Sequence, residues 1–144
     1  MEPKVHRFHV QVQKEHLDSY GHINNAVYLN LFEQARWDKV NTEGYGLKRI
    51  EETGVGHTIL EIQIKFRKEL RLGQDITIET HAEPIHSKLV LIHQRMLDEQ
   101  GAECCKAEFK CGAFDIQNRK LIIPSPEWLK AVGIEPVEPK SKSV

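Results

Sequence analysis

The sequence has few cysteines, no excess charge of either sign and no long hydrophobic run. Its 144 residues include 3 cysteines, 20 Lys and Arg and 21 Asp and Glu, which gives a formal net charge of -1. This balance argues against a globally basic nucleic-acid-binding protein and against an acidic solvating tail. The longest clean apolar runs, 89–92 and 121–123, are far shorter than the roughly 18 residues of a membrane-spanning helix. We therefore expect no membrane span and no nucleic-acid partner.

The three cysteines, Cys104, Cys105 and Cys111, form an odd and tightly clustered set. Such a set gives no disulfide framework, and the start of the chain has no charged region leading into an apolar one. Both observations favour the reducing cytoplasm. Alternation in this stretch places Cys105 and Cys111 on the face of Phe109, in the expected core, and turns Cys104 to the opposite face.

One long helix is expected between an N-terminal strand and a series of later strands. Alternating apolar and polar residues predict strands over 8–12, 60–66, 76–82, 89–97 and 105–113. Apolar residues at helical spacing predict a helix over about 26–41, with Asn24 or Asn25 as its N-cap. Shorter helical pieces are expected over 47–52 and around Trp128. Because this long helix is apolar over much of its circumference, other structure should surround it.

The turns between the last four long strands are short, which predicts an antiparallel meander. The chain length fits one domain, 1–135, and the polar, Pro- and Lys-containing tail 136–144 is predicted to be disordered. The sequence thus predicts an α+β fold in which a curved antiparallel sheet of about five strands wraps around one long central helix.

The segment 18–25, directly before this helix, has the composition of a reactive site. Gly21, Asn24 and Asn25 leave backbone N–H groups at the first turn, where the helix dipole favours a developing oxyanion. Asp18 lies close enough in sequence to face the same point, and an ionised carboxylate can attack a polarised carbonyl or activate water. The alternative is that Asp18 only caps or braces the turn.

Two stretches of the sequence resemble one enzyme family. The run Asp18-x-x-Gly21-His22-Ile23-Asn24-Asn25-x-x-Tyr28, followed by Glu33-x-x-Arg36, resembles the signature of the hotdog-fold acyl-CoA thioesterases. The branch is that of 4-hydroxybenzoyl-CoA thioesterase and the Tol-Pal-associated thioesterases. The stretch 66–75 is similar to the strand and turn that follow in this family, and the likeness extends over about 5–126.

The resemblance implies hydrolysis of an acyl-CoA thioester, with Asp18 as nucleophile or general base. It also implies that the backbone N–H near Asn25 polarises the thioester carbonyl. His22 would either assist the reaction or pin the turn by a hydrogen bond, and Tyr28 would help to shape the substrate pocket. Glu33 lies eight residues beyond Asn25, about 12 Å along the helix, where it either faces the acyl group or forms a surface pair with Arg36.

The sequence departs from the family pattern at two places. His16 stands where many members have a second acidic residue, and the turn expected to meet the CoA phosphates offers Lys88 as its one assured cation. A basic stretch, Lys65, Arg67, Lys68 and Arg71, is either a solvated strand face or a second place for those phosphates. Acyl carrier protein is therefore an alternative carrier of the acyl group.

No metal or other cofactor is expected, because histidines three apart on a strand point to opposite faces and hydrolysis needs none. An exposed sheet edge predicts a homo-oligomer, and the resemblance implies a dimer with sites at its interface, or a tetramer of two dimers. Two rival functions are open. One is a hotdog hydratase or dehydratase, and the other is a non-catalytic module that binds acyl-CoA or acyl carrier protein.

Overall fold

The structure, a computed structural model, describes residues 4–21 and 23–135. The predicted tail 136–144 lies outside this part of the chain, as does His22. The main elements follow one another as β1 (His6–Gln11), α1 (Asn25–Thr42), α2 (Leu47–Thr53), β2 (Val55–Phe66), β3 (Asp75–His86), β4 (Leu89–Leu97), β5 (Glu103–Asp115), β6 (Lys120–Ile122) and α3 (Pro126–Val132). A short 3-10 turn, Lys14–His16, lies between β1 and α1.

The strands form one antiparallel sheet in the order β1-β3-β4-β5-β2, with β6 added beside β5. The predicted meander is correct for β3, β4 and β5 but wrong for β2, which pairs with β5 and not with β3. The link 67–74 crosses the end of the sheet, where Leu70 is fully buried and residues 73 and 74 hydrogen-bond to Val12. This link buries apolar surface, which a simple hairpin turn between β2 and β3 would not do.

A β-bulge in β2 keeps one of its faces apolar across a change of register. Ile59 pairs with Cys111 and Ile62 pairs with Phe109, and the register shifts between them. Because paired residues share a face, Ile59 and Ile62 both lie on the side of the sheet that faces α1, although they are three residues apart. The predicted unbroken alternation from Leu60 onward is therefore wrong at Leu60, which lies at the bulge.

Helix α1 packs on one face of the sheet and begins as the sequence predicts. Asn24 is the N-cap, and its side-chain oxygen accepts a hydrogen bond from the N–H of Ala26 at 2.9 Å. The buried apolar residues of α1 are Tyr28, Leu31, Phe32, Ala35 and Val40. No helix within residues 4–21 and 23–135 is long and apolar enough to cross a membrane.

All three cysteines are buried free thiols. Burial raises the pKa of Cys105 and of Cys111 to about 12, so neither is a nucleophile near neutral pH. Cys104, predicted to lie on the face opposite to Cys105, is fully buried as well. The segment after β2 covers the start of β5, where the N–H groups of Arg67 and Lys68 both donate to the Cys104 carbonyl.

Candidate active site

Asp18 is held in a backbone-bonded turn directly before α1. Its Oδ1 accepts the N–H of Tyr20 at 2.9 Å, and its carbonyl accepts the N–H of Gly21 at 3.1 Å. Gly21 has φ 78°, a conformation that glycine adopts without strain. An isolated β-bridge between Leu17 and Ile23 closes the base of the loop. The carboxylate therefore has a fixed orientation at an exposed position on a single chain.

The first turn of α1, seven residues after Asp18, presents a backbone donor. The N–H of Ala26 is taken by the Asn24 side chain and that of Val27 by the Asn24 carbonyl. The N–H of Asn25 has no acceptor within the described part of the chain. Together with the positive end of the helix dipole, this donor suits an oxygen that gains negative charge.

Tyr28 is buried in the first turn of α1. Its ring packs edge-on against Phe66 with centroids 5.0 Å apart, and its phenol oxygen hydrogen-bonds to the backbone of Leu70. Burial raises the pKa of Tyr28 above its ordinary value, with smaller contributions from Cys105 and Glu69, so the phenol stays neutral. Tyr28 thus fixes the start of α1 to the end of β2.

The link after β2 adds two residues that sequence reasoning did not assign to the site, Glu69 and Leu70. Both lie beside Tyr28, since one raises its pKa through its charge and the other bonds its phenol oxygen. The resemblance of 66–75 to the strand and turn of the family points to the stretch that contains Glu69 and Leu70, but it does not predict their contact with Tyr28.

The structure does not bring Lys88 to Asp18 within one chain. The Asp18 turn and the start of α1 lie at the end of the sheet where β3 begins and β2 finishes. Lys88 lies in the turn after β3, whose 75–86 span is about 35 Å long at about 3.3 Å per residue. Contact between Lys88 and a substrate on Asp18 would require a second copy of the chain.

Two of the four cations in the basic stretch form ion pairs. Nζ of Lys68 lies 2.8 Å from the buried carboxylate of Asp98, and Nε of Arg67 lies 2.8 Å from Glu103. Asp98 also accepts the N–H groups of Gln100 and Ala102, and the Lys68 contact comes first in holding its pKa below the ordinary value. These two cations therefore brace the turn between β4 and β5 and the start of β5.

Further along α1, Arg36 turns inward. Its Nη1 donates to Oε1 of Gln94 at 2.9 Å, and its guanidinium lies 4.3 Å from the centroid of the Phe109 ring. Burial lowers the pKa of Arg36 below its usual value. Glu33 remains exposed and accepts a hydrogen bond from Nε1 of Trp37 at 3.4 Å. The alternative of a Glu33–Arg36 surface pair is therefore wrong, because Arg36 finds its partners in the core.

Arg36 and His57 line a cavity of about 250 Å³ between α1 and the sheet. Nε2 of His57 is itself inaccessible and has no hydrogen-bond partner within the described residues. The imidazole stacks on Trp128 at 5.1 Å and meets the edge of Tyr45 at 5.6 Å. Burial, helped by the charge of Arg36, lowers the pKa of His57 to about 4, so the ring is neutral at pH 7.

The other histidines of the described ranges do not gather into a ligand set. His81 and His93 face each other on paired strands with their rings 4.6 Å apart, and His93 contacts Glu83 at 3.2 Å. Within residues 4–21 and 23–135, no three His, Cys, Asp or Glu side chains are grouped to hold a metal ion.

Comparison with known proteins gives one consistent family. Residues 12–133 match the sequence model of the thioesterase-like superfamily. The chain is 26% identical over 115 residues to the long-chain acyl-CoA thioesterase FadM of Escherichia coli K12, covering 78% of this chain and 86% of FadM. It is 31% identical over 75 residues to the chloroplastic acyl-acyl carrier protein thioesterase ATL2 of Arabidopsis thaliana, covering 52% of this chain and 40% of the plant protein.

Solved structures agree on the fold. A hypothetical protein of Staphylococcus aureus, solved in complex with CoA, superposes with a TM-score of 0.83 at 17% identity over 99% of this chain and 92% of the other. A 1,4-dihydroxy-2-naphthoyl-CoA thioesterase from Synechocystis gives a TM-score of 0.81 at 14% identity over 90% and 96% of the two chains. The predicted hotdog fold is confirmed, and the chain belongs to the thioesterase-like superfamily.

Proposed function

We propose that this protein hydrolyses acyl-CoA thioesters to free acid and CoA, with Asp18 as the catalytic carboxylate. The observation that carries the proposal is the hydrogen-bonded turn that holds Asp18 shortly before α1, with its Oδ1 oriented by the Tyr20 N–H and with Asn25 as the first residue of the helix. The similarity to FadM, a long-chain acyl-CoA thioesterase, supports the substrate class.

In this mechanism the thioester carbonyl oxygen accepts a hydrogen bond from the N–H of Asn25, and the helix dipole favours the charge that develops there. The Asp18 carboxylate then either attacks the carbonyl carbon or removes a proton from an attacking water. The C–S bond breaks, the CoA thiolate leaves and takes up a proton, and water supplies the second oxygen of the acid. His22 would assist the leaving group or hold the turn, and Tyr28 would form the wall of the pocket.

A homodimer is proposed as the active unit. Strand β2 is an edge of the sheet, and its side chains Leu60, Ile62 and Phe66 remain 49%, 43% and 47% exposed. An unpaired edge with apolar side chains favours pairing with another copy. If two β2 strands pair antiparallel, the end of one chain that holds Asp18 lies beside the end of the other that holds Lys88. Lys88 would then reach the CoA phosphates of the partner's site, and two such dimers would form the tetramer that the resemblance implies.

Acyl carrier protein is the second candidate carrier. Two of the four cations in the basic stretch already pair with carboxylates, which leaves fewer charges for the CoA phosphates. The Arabidopsis relative acts on acyl-acyl carrier protein according to its name. The cytoplasm is proposed as the location, because all three cysteines are unpaired.

Release of free thiol from acyl-CoAs of increasing length tests the proposal. Asp18→Asn should lower kcat by about 10²- to 10⁴-fold, the usual contribution of a positioned acid or base. Asp75→Asn changes an exposed aspartate at the start of β3 and is the matched control, which should keep wild-type turnover. Near-normal turnover in a folded Asp18→Asn protein would contradict the assignment. Saturable binding of intact acyl-CoA without release would favour the binding module.

A further inference from the structure

The cavity beside Arg36 has an apolar wall and polar groups in its depth. Val40 of α1, Ile59 of β2, Ile92 of β4 and Val132 of α3 supply apolar wall. Trp128 closes the far side behind His57 and is itself fixed, because its Nε1 donates to the Gly56 carbonyl at 3.1 Å. A cavity built only for an apolar chain would not need a guanidinium and an imidazole in this lining.

The guanidinium of Arg36 is aimed by a network that spans three elements. Nε2 of Gln94 donates to the Phe32 carbonyl and to Oγ1 of Thr80, both at 3.0 Å, so its Oε1 is turned toward Arg36. That oxygen binds one of the five N–H donors of Arg36. No carboxylate within the described residues lies within ion-pair distance of this guanidinium. The remaining donors are thus positioned without a salt-bridge partner.

His57 offers a second donor. The ring is neutral, and its sealed Nε2 has no partner, so Nδ1 is the ring nitrogen that an occupant of the cavity can reach. A buried N–H without an acceptor is rarer in proteins than a buried acceptor without a donor. The proton therefore belongs on Nδ1, and the ring, like Arg36, acts toward an occupant as a donor.

The charges of the lining favour a neutral oxygen over an anion. Arg36 is positive, Glu33 of the same lining is negative and His57 is neutral, so the lining has no net charge. A carboxylate brought into the cavity would meet the repulsion of Glu33 as well as the attraction of Arg36. A hydroxyl or ketone oxygen accepts hydrogen bonds from Arg36 and His57 without adding charge.

We propose that this cavity is a specificity site for an acyl group that carries a hydroxyl or ketone oxygen at the end remote from the thioester. The proposal rests on the proposed thioesterase function. The cavity lies beside the His57 end of β2, whereas the start of α1 lies beside the Phe66 end. If two β2 strands pair antiparallel, the cavity of one chain lies beside the Asp18 turn of the other. An acyl group whose thioester lies at that Asp18 would then extend its remote end into this cavity.

The test compares ω-hydroxyacyl-CoAs with unsubstituted acyl-CoAs of the same length, from four to fourteen carbons. A purely apolar pocket discriminates against the hydroxyl, whereas the proposed site favours it by about tenfold in kcat/KM at the best length, the equivalent of one hydrogen bond. A third series with a terminal carboxylate should be poorer than the hydroxyl series. A preference for the unsubstituted chain at every length would overturn the proposal, as would a preference for the carboxylate.

The variant His57→Phe removes one of the two donors and keeps an aromatic ring between Tyr45 and Trp128, so the hydroxyl preference should fall clearly below that of the wild type. Tyr45→Phe is the control, because it alters the neighbour of His57 without changing the cavity lining, and it should retain the preference. An unchanged preference in His57→Phe would refute the role of His57.

Binding to the Asp18→Asn protein, measured by calorimetry with the same pairs of ligands, separates this proposal from the proposed function. A tenfold difference in Kd without turnover in the wild type would support the cavity assignment and refute the thioesterase. Turnover that depends on Asp18 but is equal for chains with and without the remote oxygen would support the thioesterase and refute the cavity assignment.

Discussion

Replacing His57 should remove a pH dependence of folding that the structure assigns to one buried ring. Burial holds the folded-state pKa of His57 at about 4, against 6.5 for a solvated histidine. The unfolded chain therefore binds the proton more tightly, so stability is complete above about pH 6.5 and is lost as the pH falls toward 4. A difference of about 2.5 pKa units corresponds to about 3 kcal/mol. The variant His57→Phe cannot take up this proton and should lack that loss.

Urea unfolding of the wild type and of His57→Phe between pH 4 and 8, at one fixed subunit concentration, measures the effect. At pH 7 the variant should be equal in stability or slightly more stable, because it removes a buried nitrogen without a partner. At pH 4 it should exceed the wild type by about 3 kcal/mol. His9→Phe, on the exposed side of β1, is the control and should follow the wild-type curve. If the free energy of unfolding falls equally with pH in the wild type and in His57→Phe, this pH dependence does not come from His57.

Three further changes test other parts of the structure. Gln94→Leu should cost about 3 kcal/mol in urea unfolding, because it breaks two buried hydrogen bonds and a half-buried one to the Arg36 guanidinium. The exposed Gln34→Leu should cost little, and equal values would contradict the network. Asp98→Asn should lose less stability than the wild type as the solution becomes acid. In the folded wild type the Lys68 contact lowers the pKa of Asp98, and the resulting stabilisation disappears as the pH falls through that lowered value. Ile62→Lys on the edge strand should give a monomer by sedimentation and abolish thiol release, and an active monomer would contradict the interface site.

Features that depend on neighbouring residues in the sequence were predictable. The cap at Asn24, the start of α1 and the bounds of β4 follow from spacing and composition, because capping and face alternation act over a few residues. The turn at Asp18 belongs to the same class, since its hydrogen bonds join residues two or three apart. Local patterns therefore suffice to locate the Asp18 turn and the start of α1.

Features that depend on which elements meet were not predictable from spacing. Alternation in β2 gives its apolar face but not its neighbour, so it could not distinguish pairing with β5 from pairing with β3. The same limit explains Arg36, whose position on a helix permits a surface pair with Glu33 until Gln94 and Phe109 arrive from distant strands. The short strand β6 pairs only with the end of β5, and its three residues are too few to show a period.

The geometry of the sheet links the proposed dimer to the proposed active site. Asp18 and the start of α1 lie at one end of the sheet, while Lys88 and the His57 end of the cavity lie toward the other. No single chain can offer one small substrate all of these groups. An antiparallel pairing of two β2 edges reverses one chain relative to the other and so places each Asp18 turn beside the opposite end of its partner. Pairing at this edge would thus cover exposed apolar side chains and complete two sites by the same contact.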